Sequence, residues 1–155
     1  MPVRSIQSKR SGRQQNFSAV FSDFYLFDRL YGRVKTQSAE LEQELVDFEI
    51  QNKVRMDGER FVQLRLSNGE RKRLALACAK LERKKILLLD EWAQDQDPLF
   101  REKFYRTVLP SLKSLGWTVI AISHDDRYFS VADRIITLDW GHVVGPKNGL
   151  GGKRG

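Results

Sequence analysis

The most constraining feature of the sequence is an unbroken stretch from Leu66 to Trp92, LSNGERKRLALACAKLERKKILLLDEW. Within it, Ser67 and Glu70 have the spacing of a capping box, in which each side chain bonds the backbone amide of the other. A helix is therefore predicted to begin at Ser67. Gly69 has no side chain, so another group could approach the positively polarised start of this helix closely.

The body of this helix is predicted to be amphipathic, because apolar residues recur at intervals of three and four. The predicted apolar face comprises Leu74, Ala77, Cys78 and Leu81, and the predicted basic face comprises Arg71, Lys72, Arg73 and Lys80. A continuous apolar run, Ile86–Leu89, follows and predicts a short buried strand. Asp90 and Glu91 come directly after it, where catalytic groups tend to lie in α/β folds.

Four short motifs then resemble those of ATP-binding cassette (ABC) ATPases, in the same order and at similar separation. LSNGERKR resembles the signature motif (LSGGQ type), and ILLLDE resembles the Walker B strand. Gln94–Asp97 lies where the D-loop of that family falls. Ser123–Asp125, after the apolar strand Thr118–Ile122, resembles the switch-histidine loop. FSAVFSDFYLFDRL and DEWAQDQDP are similar to a narrower subgroup, the bacterial exporters of cyclic peptides and peptide siderophores of the pyoverdine and syringomycin type.

The resemblance implies an ATP- and magnesium-dependent site. Asp90 would help to hold Mg²⁺ through water, Glu91 would be the general base for attack on the γ-phosphate, and His124 would contact that phosphate. The residues that would contact nucleotide are Ser67, Asn68, Gly69, Glu70 and Asp97. Signature residues of this family contact ATP held by the opposite domain of a dimer, so a second nucleotide-binding domain is an implied partner.

A phosphate-binding loop of the form G-x-x-x-x-G-K-[ST] does not occur in the sequence. The resemblance covers about residues 13–144 and corresponds to the later part of a nucleotide-binding domain. The implied fold class is α/β, a partial P-loop NTPase domain with a helical subdomain and part of the parallel core sheet. We therefore expect a fragment, inactive alone, whose further partners are an N-terminal half carrying Walker A and the transmembrane domain of an exporter. Its expected location is the cytoplasmic side of the bacterial inner membrane.

The expected domain boundaries follow composition and the resemblance together. Residues 1–15 are predicted to be a disordered basic tail and 145–155 a flexible glycine-rich tail. Residues 16–82 would form the Q-loop region and helical subdomain, and 83–144 part of the core sheet. Aromatic residues crowd residues 17–27 and predict a piece of core or, by resemblance, the Q-loop.

Two positions depart from the family pattern. Ser22 replaces the usual glutamine and is too short to reach a metal, and Asn68 replaces a glycine of the signature.

Coarse periodicity predicts the remaining elements. Helices are predicted over Gln37–Ile50 and over Pro98–Ser114, with Pro110 kinking the second or ending it early. Extended segments are predicted at Phe61–Leu64, in a buried strand at Trp117–Ile122, and at Arg134–Asp139, which turns at Gly141. Alternation of helices and apolar strands favours a parallel α/β sheet.

Charge argues against nucleic acid as a partner. The net charge of +7 comes entirely from residues 1–16 and 145–155, so the folded middle is neutral. A single cysteine, Cys78, fits a reducing compartment. Two alternatives to an exporter ATPase remain, a non-enzymatic interaction module and a fragment of a DNA-associated ABC-type ATPase. The latter would carry the same signature, usually with long heptad segments that are lacking here.

Overall fold

The computed structural model describes residues 17–20, 38–57, 60–62 and 65–147. The helices are α1 (Ser38–Asp47), α2 (Asn68–Leu81), α3 (Pro98–Lys103) and α4 (Leu109–Ser114), and a π-helical turn, Phe104–Val108, joins the last two. The strands are β1 (Phe17–Val20), β2 (Arg55–Asp57), β3 (Arg60–Val62), β4 (Ile86–Asp90), β5 (Thr118–Ile122), β6 (Ile135–Asp139) and β7 (His142–Lys147). The predicted loop around Ser22 and both predicted tails lie outside the described residues, apart from 145–147. The prediction of a flexible tail is wrong for 145–147, because these residues belong to strand β7 and pair with β6.

The centre of the fold is a three-stranded parallel sheet in the order β1-β4-β5. Phe17 is paired with Ile86 across the first interface, and Asp90 with Ile122 across the second. Because parallel strands end at the same edge, Asp90, Glu91 and the loop after β5 are brought together at one edge of the sheet. The predicted α/β fold with a parallel sheet is confirmed.

Helix α2 packs against this sheet and forms the core together with strand β4. Leu74 and Leu76 from the helix and Leu87 from the strand are each 0% exposed. Trp92, two residues after the end of the strand, stacks on Phe104 with 4.2 Å between ring centroids. Each large apolar side chain buried in this way stabilises the fold by roughly 1.5–3 kcal/mol.

Two alternative effects of Pro110 were predicted, a kink or an early end of the helix, and the early end is wrong. Helical backbone runs from Pro98 to Ser114 through the π-helical turn. In that turn the Leu109 amide donates to the Phe104 carbonyl, five residues back. Proline normally breaks a helix because it lacks an N–H and its ring clashes with the carbonyl four residues earlier. The wider turn directly before Pro110 relieves that clash, so the helix continues.

The prediction that Trp117–Ile122 is a buried strand is also wrong. Ile120 is 53% exposed and Ile122 is 51% exposed, although Trp117 itself is buried. Within the described residues β5 is hydrogen-bonded on one side only, to β4. Burial also requires an element packed on each face of the strand. The apolar sequence alone cannot show that the face carrying Ile120 and Ile122 has none among the described residues.

The remaining extended segments form two separate hairpins. Strand β6 turns at Gly141, which has φ 78°, into β7 and pairs with it antiparallel, so it lies outside the parallel sheet. Strands β2 and β3 form the other pair. No helix among the described residues is both long and apolar enough to cross a membrane.

Candidate nucleotide-hydrolysis site

The carboxylate pair lies at the carboxyl end of β4, the central strand. The Glu91 amide donates to the Ile122 carbonyl at 3.1 Å, which ties the turn after β4 to the end of β5. Glu91 adopts a left-handed conformation with φ 46° and ψ 34°. For a residue with a side chain this conformation costs roughly 1–2 kcal/mol. Backbone strain of this kind is concentrated at functional sites.

His124 and Glu91 are distant from each other along the chain, and they meet at this edge of the sheet. His124 Nε2 lies 3.0 Å from Glu91 Oε1. That Glu91 oxygen is buried, yet no donor among the described residues meets hydrogen-bond geometry toward it, His124 included. A carboxylate oxygen without a donor retains its capacity to accept a proton. This is the property that a general base requires.

A cavity of about 260 Å³ opens between these two residues. Small-molecule sites usually measure about 300–1,000 Å³, so this cavity has room for a phosphate group and waters rather than for a whole nucleotide. The remaining lining residues are Ala93, Gln94, Arg101, Tyr105, Ser123, Asp125 and Arg127. Of these, Gln94, Ser123 and Asp125 lie in motifs that the sequence already indicated, whereas the two arginines and Tyr105 do not.

The loop that carries His124 is held from both sides. The hydroxyl groups of Tyr105 and Ser123 lie 3.0 Å apart, and the Asp125 amide donates to Ser123 Oγ at 3.1 Å. Tyr105 also stacks on Tyr128 at 4.2 Å. Burial raises the pKa of Tyr105, so its hydroxyl stays protonated. Tyr105 escaped prediction because it lies in the π-helical turn, where regular helical spacing does not apply.

Arg101 fixes the segment that follows Glu91. Its guanidinium donates to the carbonyls of Ala93, Gln94 and Gln96 at 3.0–3.1 Å. It also lies 3.8 Å from Asp125. Hydrogen bonds from Arg127, with the charges of both arginines, lower the pKa of Asp125. A local sequence pattern does not predict these contacts of Arg101, because they join helix α3 to two loops.

The predicted capping box is present at the start of α2. Ser67 is the N-cap, its Oγ accepts from the Glu70 amide at 3.3 Å, and Glu70 Oε2 accepts from the Ser67 amide at 2.9 Å. Burial acts to raise the pKa of Glu70, but hydrogen bonds from Lys53 and Ser67 outweigh it and lower the pKa overall. Ser67 and Asn68 are exposed and do not line the cavity, so the helix start and Glu91 belong to two separate surfaces.

The predicted basic face of α2 is wrong for two of its four members. Lys72 is 3% exposed and Arg73 is 7% exposed. Arg73 donates to Gln96 Oε1 at 2.8 Å, pairs with Asp97, and lies 3.5 Å above the Phe100 ring. Both cations are buried because the segment after Glu91 packs across the first turns of the helix. Their charge gave no sign of this at the sequence level.

Asp97, predicted to contact nucleotide, makes contacts within the chain. It is the N-cap of α3, where its Oδ1 accepts from the Phe100 amide at 2.9 Å. That hydrogen bond is the main cause of its lowered pKa, and Arg73 adds to the effect.

The residues present fit a magnesium ion that takes most of its ligands from elsewhere. Among the described residues no group of three or more metal-ligating side chains occurs. Mg²⁺ usually keeps several waters and is held by one or two carboxylates together with substrate phosphates. Asp90, at the end of β4, would supply such a carboxylate, and when bound the ion would neutralise phosphate charge.

Gly69 lets α2 approach the segment after Glu91, and a prediction follows. A Cβ at this position would overlap the Asp95 backbone carbonyl. We expect Gly69→Ala to destabilise the fold by about 1–3 kcal/mol, the usual cost of overpacking. This outweighs the gain in helix propensity, at most about 1 kcal/mol. The urea midpoint should fall for Gly69→Ala and stay nearly constant for Asn68→Ala, its exposed neighbour. An unchanged midpoint for Gly69→Ala would contradict the close packing.

The parallel sheet, the acidic turn at the end of its central strand and the capped helix packed against it define the class of the chain, a partial P-loop NTPase fold. The chain belongs to the ABC transporter family, whose sequence model matches residues 3–94.

Similar proteins agree with this assignment. The chain is 48% identical over 143 residues to the ATP-binding protein SyrD of Pseudomonas syringae pv. syringae, covering 89% of this chain and 25% of SyrD. It is 30% identical over 140 residues to the spermidine/putrescine import ATP-binding protein PotA of Photobacterium profundum, covering 84% of this chain and 37% of PotA.

A solved bacterial Atm1-family ABC exporter with ATP bound shares the fold, with a TM-score of 0.68 and 24% identity. The match covers 87% of this chain and 26% of the exporter chain. The chain therefore spans about a quarter to just over a third of the length of these proteins.

Proposed function

We propose that the chain is the catalytic and signature part of the ATPase domain of an ABC exporter, coupling ATP hydrolysis to export of a cyclic peptide or peptide siderophore. The observation that carries the proposal is the meeting of Glu91 and His124 at the cavity, 3.0 Å apart. The identity to SyrD over most of the chain supports the subgroup.

In the proposed mechanism Glu91, His124 and Asp90 have separate roles. Glu91, whose Oε1 has no hydrogen-bond donor among the described residues, accepts a proton from the attacking water. His124 binds the γ-phosphate from the same cavity. Asp90 would hold Mg²⁺ through water. ATP itself is held mainly by a phosphate loop outside this chain.

A second proposed surface is the start of α2. Ser67, Asn68 and Gly69 would bind the γ-phosphate of ATP carried by an opposite domain, since a helix start attracts anions. Glu70 and Asp97 support that surface through the two helix caps. The proposed partners are a second nucleotide-binding domain, the transmembrane domain of the exporter and an N-terminal half with the phosphate loop. The proposed location is the cytoplasmic face of the bacterial inner membrane.

The proposed boundaries assign 16–82 to the Q-loop region and helical subdomain and 83–144 to part of the core sheet. The proposal is tested by joining residues 13–144 to an N-terminal segment that carries a phosphate loop. We expect magnesium-dependent ATP hydrolysis from the joined domain. A well-folded joined domain that binds ATP and hydrolyses none would favour a non-enzymatic interaction module, the alternative that the lack of a phosphate-loop motif supports.

For the 155-residue chain by itself we expect no measurable ATP binding. Its sequence has no phosphate-loop motif, and that motif supplies the backbone amides and the lysine that neutralise the phosphates. Calorimetric titration with magnesium-ATP should show no saturable heat. The joined domain, titrated under the same conditions, serves as the positive control. Saturable binding to the 155-residue chain in the micromolar range would contradict this prediction.

A further inference from the structure

A buried cation links the two proposed surfaces. Lys72 lies on the second turn of α2, and its side chain is 3% exposed. Its ammonium donates to the Glu91 carbonyl at 2.8 Å and pairs with the Asp95 carboxylate at 2.7 Å. A buried lysine is costly unless it is paired and hydrogen-bonded, so these two contacts account for its position.

Two further hydrogen bonds join the same pair of segments. The Trp92 indole donates to the Lys72 carbonyl at 3.0 Å, and the Gln96 side chain donates to the Gly69 carbonyl at 3.1 Å. The first turns of α2 and residues 91–96 are therefore held as one unit. Among these contacts, only the Lys72 side chain reaches Glu91 itself.

We propose that Lys72 is a positioning residue for Glu91. It does not line the cavity and bonds the Glu91 backbone rather than the carboxylate, so it acts by fixing the strained turn that aims the carboxylate. Because Lys72 belongs to the helix that starts at Ser67, a displacement of the helix start is passed to the Glu91 turn, and the reverse. The role of Glu91 in this inference rests on the proposed function, whereas the mechanical link does not.

Hydrogen exchange measured by mass spectrometry on the 155-residue chain tests the link. In Lys72→Met, which keeps an unbranched apolar stem and removes the ammonium, exchange at residues 91–96 should rise about tenfold or more, while helix amides at residues 74–81 change less than about twofold. The matched control is Lys80→Met on the same helix, which removes the ion pair to Glu44 instead. The control should leave exchange at residues 91–96 unchanged.

Asp95→Asn provides a second test, because removing a buried cation can unfold a domain whereas Asp95 is partly exposed. It should raise exchange at residues 91–96 by a smaller factor. The control Asp126→Asn, at an exposed aspartate in the segment after β5, should leave that exchange unchanged. Lys72→Arg, which restores the charge, should return most of the protection.

An equal rise at residues 74–81 and 91–96 in Lys72→Met would show a purely structural role and overturn the proposal, as would no change at residues 91–96 in Asp95→Asn. No nucleotide is used, so failure here leaves the ATPase proposal standing, and failure of the ATPase proposal leaves the exchange result standing.

Discussion

Replacing Glu91 by glutamine should lower the ATP turnover of the joined domain by about 10²–10⁴-fold, the usual contribution of a general base, while leaving ATP bound. The amide keeps the size of the carboxylate but cannot take up a proton. Because nucleotide is retained, two copies of the joined domain should remain closed over it. Size-exclusion chromatography with magnesium-ATP should then show a trapped dimer.

The matched control for this substitution is Glu102→Gln. Glu102 is an exposed glutamate whose only described ion pair is with Arg106, one helical turn away. It should hydrolyse ATP at the parent rate and show no trapped dimer. Near-normal hydrolysis by Glu91→Gln would remove the assignment of the catalytic carboxylate. It would also contradict the matching of sequence motifs on which the other proposed roles depend.

Replacing Ser67 by arginine should abolish dimer formation in the joined domain. Ser67 is the exposed N-cap of α2, where a γ-phosphate from an opposite domain would bind. A long cationic side chain there would occupy the anion site and displace the phosphate. Size-exclusion chromatography with magnesium-ATP should show monomer, and this result should persist when Glu91→Gln is added to the same chain.

Loss of the cap must be separated from blockage of the site. Ser67→Ala removes the same capping hydroxyl and should cost about 0.5–2 kcal/mol of stability. It introduces neither bulk nor charge, so in the Glu91→Gln background it should still allow the trapped dimer. A trapped dimer with Ser67→Arg would show that the helix start lies outside the dimer interface.

The parts of the site that the sequence predicted are those with local signals. The capping box of Ser67 and Glu70 depends on a spacing of three residues, and the β4 strand on a continuous apolar run. Both are present. The meeting of Glu91 with His124 at one sheet edge had no local signal, because the two residues follow different strands. That meeting follows from parallel pairing, which fixes the edge at which both strands end.

The parts that escaped prediction depend on tertiary contacts. Lys72 and Arg73 look like solvated charges in the sequence, and they are buried because residues 91–97 supply their acceptors. The exposed Ile120 and Ile122 of β5 are as apolar as the buried Leu87 and Leu89 of β4, so apolar character could not distinguish the two strands. The helix continues past Pro110 because the preceding turn widens, and the same turn places Tyr105 beside Ser123.

Because Glu91 has a left-handed backbone, the residue that is best for stability at this position differs from the residue that the proposed reaction requires. Glycine adopts this conformation without steric cost, whereas glutamate is strained by roughly 1–2 kcal/mol. A selection for thermal tolerance alone would therefore favour glycine at this position, and a selection that also demands turnover would restore glutamate. A library of variants at residue 91 should give glycine under selection for thermal tolerance alone and glutamate under selection that also requires turnover. The residue found at position 91 would then show whether stability alone or stability together with ATP hydrolysis was under selection.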